Sequence, residues 1–284
     1  MDAVKLEGIH HVTCITADAP GNVEFYAGTL GLRLVKKTVN QDDPTVYHLF
    51  YADERGSAGS DITFFEYPDS PRGRAGAGMV HRVAFRVGSE ASLLFEDPEG
   101  LALVLVVDTC EEEPRVAQHP EIPVEHALRG FAGVRAFATD PELSRSLLEN
   151  TLGFEPGYVA RGDRRSGFYV YDEAERHGAQ GAGSVHHVAW ASTPEDHDAW
   201  RQAVNRAGMR STPIVDRFYF KSIYFREPSG VLFEIATLGP GFTVDEPLEH
   251  LGERLSLPPA FEHLRDRVEP VLTPLPNPRE VARR

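Results

Sequence analysis

The chain has 284 residues, 41% of them hydrophobic and 25% charged, with a formal net charge of −14. That composition belongs to a globular protein of one large or two ordinary domains with a sizeable core. The excess of acid excludes the basic face of a nucleic-acid binder and favours solubility. The two cysteines, Cys14 and Cys110, form no CxxC and are too few for a disulfide framework. The opening MDAVKLEGIHHVTC lacks the apolar stretch of a secretory signal, and no apolar run approaches the roughly 18–20 residues of a membrane span. These features predict a cytoplasmic enzyme or small-molecule binding protein without nucleic-acid or membrane partners.

Taken in order, the elements repeat. GIHHVTCITAD at 8–18 reads as a strand, and NVEFYAGTLGLRLV at 22–35 has helical spacing with Gly31 as its stop. AGAGMVHRVAF at 75–85 opens a second strand, followed by EDPEGLALVLVV at 96–107. GFAGVRAFATD at 130–140 and ELSRSLLENTLGFEP at 142–156 repeat the first strand and helix, with Gly153 as the stop. QGAGSVHHVAW at 180–190 and REPSGVLFEIAT at 226–237 repeat the second pair. Pro98-Glu99-Gly100 and Pro228-Ser229-Gly230 predict hairpin turns inside β-rich runs. The pattern predicts an α+β fold of four βαβββ modules beginning near residues 8, 79, 131 and 184. The second is shortened between Val87 and Leu101, and the third between Gly157 and Gly183. Residues 1–128 hold the first pair of modules in sequence, 129–240 the second pair, and 241–284 a C-terminal extension.

Three other segments carry expectations. KKTVN at 36–40 reads as a solvated sheet edge. RGRAGAG at 72–78 lacks the strand-then-helix context of a phosphate loop and reads as a linker. PPAFEHLRDRVEPVL at 258–272 predicts one amphipathic helix, a lid or a contact in a homo-oligomer.

The repeats also single out a metal site. Strand alternation puts His11 with Thr13 and Ile15 on one face, and His10, Val12 and Cys14 on the other. His187 likewise separates from His186. Glu234 is a carboxylate inside the apolar run VLFEIAT, where burial without a cation is costly. In the repeat alignment Arg82 stands for His187, Gly133 for His11, and Val104 and Phe65 for Glu234. The fold therefore does not require His, His and Glu at these places. Two imidazoles and one carboxylate leave open coordination positions, as in non-haem Fe(II) oxygenases. The two modules that carry the ligands must pack together, so the first is expected to pair with the fourth and the second with the third.

The segments GIHHVT, GLRLVKKTVNQDDPTVYHLFYADERGSAGSDITFF, GAGSVHHVAW, SIYFREPSGVLFEIAT and PGFTVDEPLEHLG together resemble the vicinal oxygen chelate superfamily of glyoxalases, bleomycin-resistance proteins and extradiol dioxygenases. Within it they are similar to ring-cleaving dioxygenases of the hydroquinone type, over about residues 8 to 260. The resemblance implies Fe(II), with Mn(II) as the alternative, held by His11, His187 and Glu234. It implies a small aromatic diol and O2 as substrates. It places His10, Thr13, His186, Arg217 and Tyr224 around the metal ligands as catalytic or orienting groups. The competing readings are a glyoxalase-like isomerase or lyase, with a second metal carboxylate from the partner module, and a metal-free binding protein of the bleomycin-resistance type.

Overall fold

A computed structural model describes residues 4–88 and 92–278. Met1–Ala3 of the opening segment, Ser89–Ala91 of the shortened second module and Arg279–Arg284 of the C-terminal extension lie outside the described residues. The first module comprises β1 (Ile9–Thr16), α1 (Ala19–Val23, running into a π-helical turn Glu24–Thr29), β2 (Arg33–Asn40), β3 (Asp43–Ala52) and β4 (Asp61–Glu66). The second has β5 (Met79–Val87), β6 (Leu93–Glu96) and β7 (Ala102–Val107), and no helix among the described residues. The third has β8 (Leu128–Ala138), α2 (Glu142–Ser146, continued by Leu147–Thr151), the short β9 (Val159–Arg161) and β10 (Ser166–Glu173). The fourth has β11 (Ser184–Ser192), α3 (His197–Arg206), β12 (Val215–Asp216), β13 (Lys221–Arg226) and β14 (Leu232–Thr237).

Local sequence explains the boundaries. The Asp18 side chain accepts from the Gly21 amide and Pro20 sits in the first turn, a proper start for α1. Gly31 and Gly153, both at φ +71°, stop the first and second helical stretches. No helix among the described residues is long and apolar enough to cross a membrane.

The modules pair as expected. One sheet runs β12-β13-β14-β11-β1-β4-β3-β2, so module four meets module one through antiparallel β11 and β1. The other runs β6-β7-β5-β8-β10-β9, joining modules two and three through β5 and β8. On the back of the large sheet Val12, Val188, Trp190, Phe233 and Ile235 belong to the main core cluster. A separate cluster with Val35, Phe50, Ala189, Tyr219, Phe220, Ala236 and Phe242 packs on the front. Fully burying side chains of this size contributes about 1.5–3 kcal/mol each, so the sheet is anchored from both faces.

Both sheets carry β-bulges at matching places. Across β1 and β11 the register skips His10 on one strand and His186 on the other. Across β5 and β8 it skips His81 and Ala132, their repeat equivalents. The second sheet keeps the bulges but has Gly133 and Arg82 where the first has His11 and His187. A Cβ on Gly133 would lie 2.3 Å from the Phe168 ring, so nothing larger than glycine fits there. His81 Nε2 lies 2.8 Å from Asp172, which also accepts from Arg135. Arg135 and then His81 hold the Asp172 carboxyl down to about 2. With the folded value below the unfolded one, its stabilisation is fully present above the ordinary carboxyl range and fades as pH falls toward 2. Asp172→Asn is therefore expected to cost about 1 kcal/mol at pH 7, discounted for partial exposure, with the difference from wild type closing in acid. Urea unfolding at a series of pH values measures it, and a pH-independent difference would contradict the assignment.

Two expectations at the chain's edges need correction. KKTVN is not a solvated edge: Lys36 is fully buried and Thr38 and Asn40 are buried. Although β2 ends the sheet, the C-terminal extension covers it. Leu255 bridges to Lys37, the Ser256 amide donates to the Lys37 carbonyl at 2.9 Å, and Lys36 Nζ donates to Asp245 at 2.7 Å and to Glu246. The amphipathic helix expected over 258–272 shrinks to a 3-10 turn Glu262–Leu264 and α4 (Arg265–Val268). Pro258 and Pro259 delay its start, and Pro270, with no N–H, cannot donate the next intrahelical bond. RGRAGAG runs as a connecting segment with single bridges, Arg72 to Ala182, Arg74 to Ala179 and Ala77 to His177.

Candidate metal centre

Three adjacent strands bring His11 (β1), His187 (β11) and Glu234 (β14) to one buried point. Glu234 Oε2 lies 2.8 Å from His187 Nε2 and 3.2 Å from His11 Nε2. The two Nε2 atoms are 3.4 Å apart. Neighbouring ligands at right angles on a small divalent cation, with bonds of about 2.1 Å, stand roughly 3 Å apart. The three separations fit that triangle.

The hydrogen bonds behind the ligands show why these atoms crowd together. His10 Nε2 lies 3.1 Å from the Thr237 carbonyl, which only accepts, so His10 carries its proton on Nε2. His10 Nδ1 then accepts from His11 Nδ1 at 2.9 Å, leaving His11 Nε2 as a lone pair. His186 and His187 repeat the Nδ1 to Nδ1 contact at 2.8 Å. The bulges at His10 and His186 make these contacts possible, because strict alternation would turn adjacent histidines to opposite faces. Burial, with the adjacent ligand histidine, lowers His10 and His186 to about 3 each, and burial also lowers His187. Burial opposes the Glu234 charge, and only positive charge at the point where His11 and His187 face it holds the carboxyl well below the usual range. Ser222 donates to Oε1, whereas Oε2 receives no well-directed hydrogen bond despite its two short contacts. A buried carboxylate oxygen facing the His11 lone pair is repulsive unless a cation lies between them. The residues therefore fit a divalent metal.

The centre opens into a cavity of about 190 Å³, and an engineered apolar cavity of about 150 Å³ holds benzene. One aromatic ring fits. Thr13, His186, Arg217 and Tyr224 line the cavity; His10 does not, standing behind His11 against Phe220. Arg217 Nε donates to the Tyr224 hydroxyl at 3.3 Å, and its two terminal nitrogens fork onto Asp42 at 3.1 and 2.8 Å. Gln41 donates to the Arg217 carbonyl at 2.8 Å. The hairpin tips of modules one and four thus meet at the cavity. Although burial opposes its charge, Asp42 and Tyr224 hold Arg217 above its ordinary range. Burial, then Glu234, raises Tyr224 well above its own, so its hydroxyl stays protonated at neutral pH.

Sequence reasoning missed His48, Thr63, Phe50 and Tyr219, all cavity-facing or next to it. It also misplaced the first-module counterpart of Glu234. Ala189, two residues after His187, pairs with Glu234, and Thr13, two after His11, pairs with Thr63. The counterpart is Thr63, not Phe65. Alternation along VYHLF, which puts His48 on the face of Phe50, was the available signal for His48.

Residues 8–96 and 130–235 match the family described as the Glyoxalase/Bleomycin resistance protein/Dioxygenase superfamily. MhqA of Bacillus subtilis (strain 168), a ring-cleaving dioxygenase by name, is 39% identical over 96% of this chain and 100% of its own length. A chlorohydroquinone/hydroquinone 1,2-dioxygenase of Sphingobium indicum is 33% identical, covering 93% of this chain and 95% of its own. A crystal structure of a Bacillus subtilis protein described as a dioxygenase superposes with a TM-score of 0.88 at 37% identity, over 96% of this chain and 99% of that one.

Proposed function

The chain belongs to the glyoxalase/bleomycin resistance protein/dioxygenase superfamily, and we propose that within it the protein is an iron(II)-dependent ring-cleaving dioxygenase acting on a dihydroxylated aromatic, hydroquinones in preference to catechols. The observation that carries this reading is the buried triangle formed by His11 Nε2, His187 Nε2 and Glu234 Oε2 beside a ring-sized cavity. Two imidazoles and one carboxylate on one side of a metal leave the other side open for two substrates, here a diol and O2. Iron(II) bound there, or manganese(II) in its place, supplies the redox chemistry and acidifies a coordinated hydroxyl.

The chain's own groups do the rest. His10 and His186 set the tautomer and ring orientation of His11 and His187, and Ser222 orients Glu234. Phe50 and Phe65 offer aromatic faces to a flat substrate. Thr13 ties β1 to β4 through Thr63 at 2.9 Å beside the ligands. Tyr224 keeps its proton and can donate a hydrogen bond to a substrate oxygen, and Arg217 holds the Tyr224 hydroxyl in place. A hydroquinone reaches the metal through one hydroxyl only, so polar groups such as Arg217 and Tyr224 must hold the far side of its ring. The name of the Sphingobium relative supports the same substrate class. A glyoxalase-like centre would need a second carboxylate where Thr63 stands. A metal-free binding protein would leave Glu234 facing the two imidazoles without a cation.

The test is steady-state oxygen uptake by anaerobically iron-loaded protein with matched hydroquinone and catechol series. Higher kcat/KM for hydroquinones is expected. Arg217→Ala should lose about 10–100-fold, or roughly 1.4–2.7 kcal/mol of transition-state stabilisation. A clear catechol preference, with Arg217→Ala equal to wild type, would overturn the substrate assignment and leave the metal ligands standing.

A further inference from the structure

The relation between modules one and four extends beyond the ligands. In module four Tyr224 pairs with Glu234, and Ser222 pairs with Ala236. In module one Phe50 pairs with Thr63, and His48 pairs with Phe65. Thr63 being the counterpart of Glu234, Phe50 is the counterpart of Tyr224 and His48 that of Ser222. The hydrogen bonds obey the same relation. Ser222 donates to Glu234, and His48 Nε2 meets Thr63 Oγ1 at 2.9 Å. Where module four has a serine serving a metal carboxylate, module one has an imidazole serving a threonine that binds no metal.

That imidazole is directed to another use. Thr63 donates its own hydroxyl proton to Thr13 at 2.9 Å, so toward His48 it can only accept. His48 therefore carries its proton on Nε2, and its lone pair is on Nδ1. Among the described residues no hydrogen-bond partner for Nδ1 is found. The ring lies against Phe50 and Phe65, with centroids 3.9 and 4.4 Å away, and lines the same cavity as the metal ligands. Burial, reinforced by His11, His187 and Arg217 and opposed by Glu234, keeps it uncharged.

Resting on the dioxygenase reading above, we propose that His48 is a further catalytic residue, whose Nδ1 takes the proton of a hydroxyl of the bound aromatic diol. The O–H bond breaks with its electron pair left on oxygen, and an N–H bond forms at Nδ1. The phenolate so made is the negative charge that stabilises the new imidazolium. The proton returns to a product oxygen when the ring opens, so no further reactant is needed. Tyr224, on module four, is suited to hydrogen-bond donation, since its hydroxyl resists ionisation. The cavity then has an acceptor on the module-one side and a donor on the module-four side.

The test compares wild type, His48→Gln and His48→Phe, all iron-loaded. Gln keeps an N–H for Thr63 but takes no proton, and Phe matches the size of the flanking rings. Both variants are expected to keep wild-type iron content and thermal midpoint. Both should lose about 100-fold in kcat/KM on unsubstituted hydroquinone. On a nitro-substituted diol already ionised at the assay pH, the loss should be no more than about fivefold, because no proton remains to be taken. Equal losses on both substrates would show a packing role and overturn the proposal, as would a His48→Gln enzyme with wild-type rates. Oxygen uptake absent from wild type with every diol would remove the dioxygenase reading and this assignment with it.

Discussion

Glu234→Ala is expected to lower metal affinity by at least about a hundredfold, so that protein carrying about one iron or manganese per chain as wild type is recovered nearly empty. The reason lies in the geometry. Glu234 provides the single negative charge at the centre, and its Oε2 is the atom both Nε2 atoms converge on. Two neutral imidazoles alone hold a hard divalent ion weakly. The same substitution should leave the fold intact, because Phe233 and Ile235 anchor β14 on the opposite face. A second effect follows. Without metal, wild type keeps a buried carboxylate facing the His11 lone pair, whereas the alanine variant does not. Metal-free Glu234→Ala should therefore melt no lower than metal-free wild type, while loaded wild type melts well above both. Elemental analysis and thermal unfolding with and without chelator measure the two effects. Full metal content in Glu234→Ala would refute the ligand assignment.

Lys36→Met should destabilise the protein by about 3–5 kcal/mol, the cost of breaking a buried ion pair from one side. Lys36 is fully buried on β2 and donates to both Asp245 and Glu246, with the Tyr219 ring 4.9 Å from its Nζ. Methionine fills the volume but leaves two carboxylates facing each other. The loss should be largely repaired by the triple variant Lys36→Met, Asp245→Asn, Glu246→Gln, because removing all three charges removes the uncompensated ones. Tyr219 also donates to Asp245 at 3.0 Å and lines the cavity, so the single variant should loosen the substrate wall and raise KM. Urea unfolding of the single and triple variants decides the matter. A single-variant loss under about 1 kcal/mol would mean that the pair behaves as an ordinary surface bridge.

Much of this architecture was legible in the residues. The repeated Val-His strands and Pro-x-Gly turns disclosed four modules, and the absence of ligands at Gly133 and Arg82 disclosed which modules must pair. Alternation alone could not show that His10 backs His11. That contact needs a bulge, and a bulge is a property of the partner strand's register, which one strand's pattern does not carry. The burial of Lys36 was hidden for a similar reason. The segment that covers β2 lies some two hundred residues away in sequence and makes its contacts through scattered carboxylates, a few apolar side chains and isolated backbone bonds. The Thr63 counterpart was missed by two residues, because apolar runs such as ITFF offer no marker for register.

The separation of the ligands along the chain has a consequence during synthesis. His11 emerges among the first residues, and the strand that presents His187 and the one that presents Glu234 follow only after modules two and three. Until then β1 has no antiparallel neighbour at its ligand edge, and metal capture must wait for a contact of very long sequence separation. On the proposed ligand set, a nascent or prematurely terminated polypeptide that lacks β14 cannot present all three side chains to the ion. With those ligands, metal occupancy reports that β14 has been made, and ribosome-bound chains should acquire it only once β14 has cleared the exit tunnel.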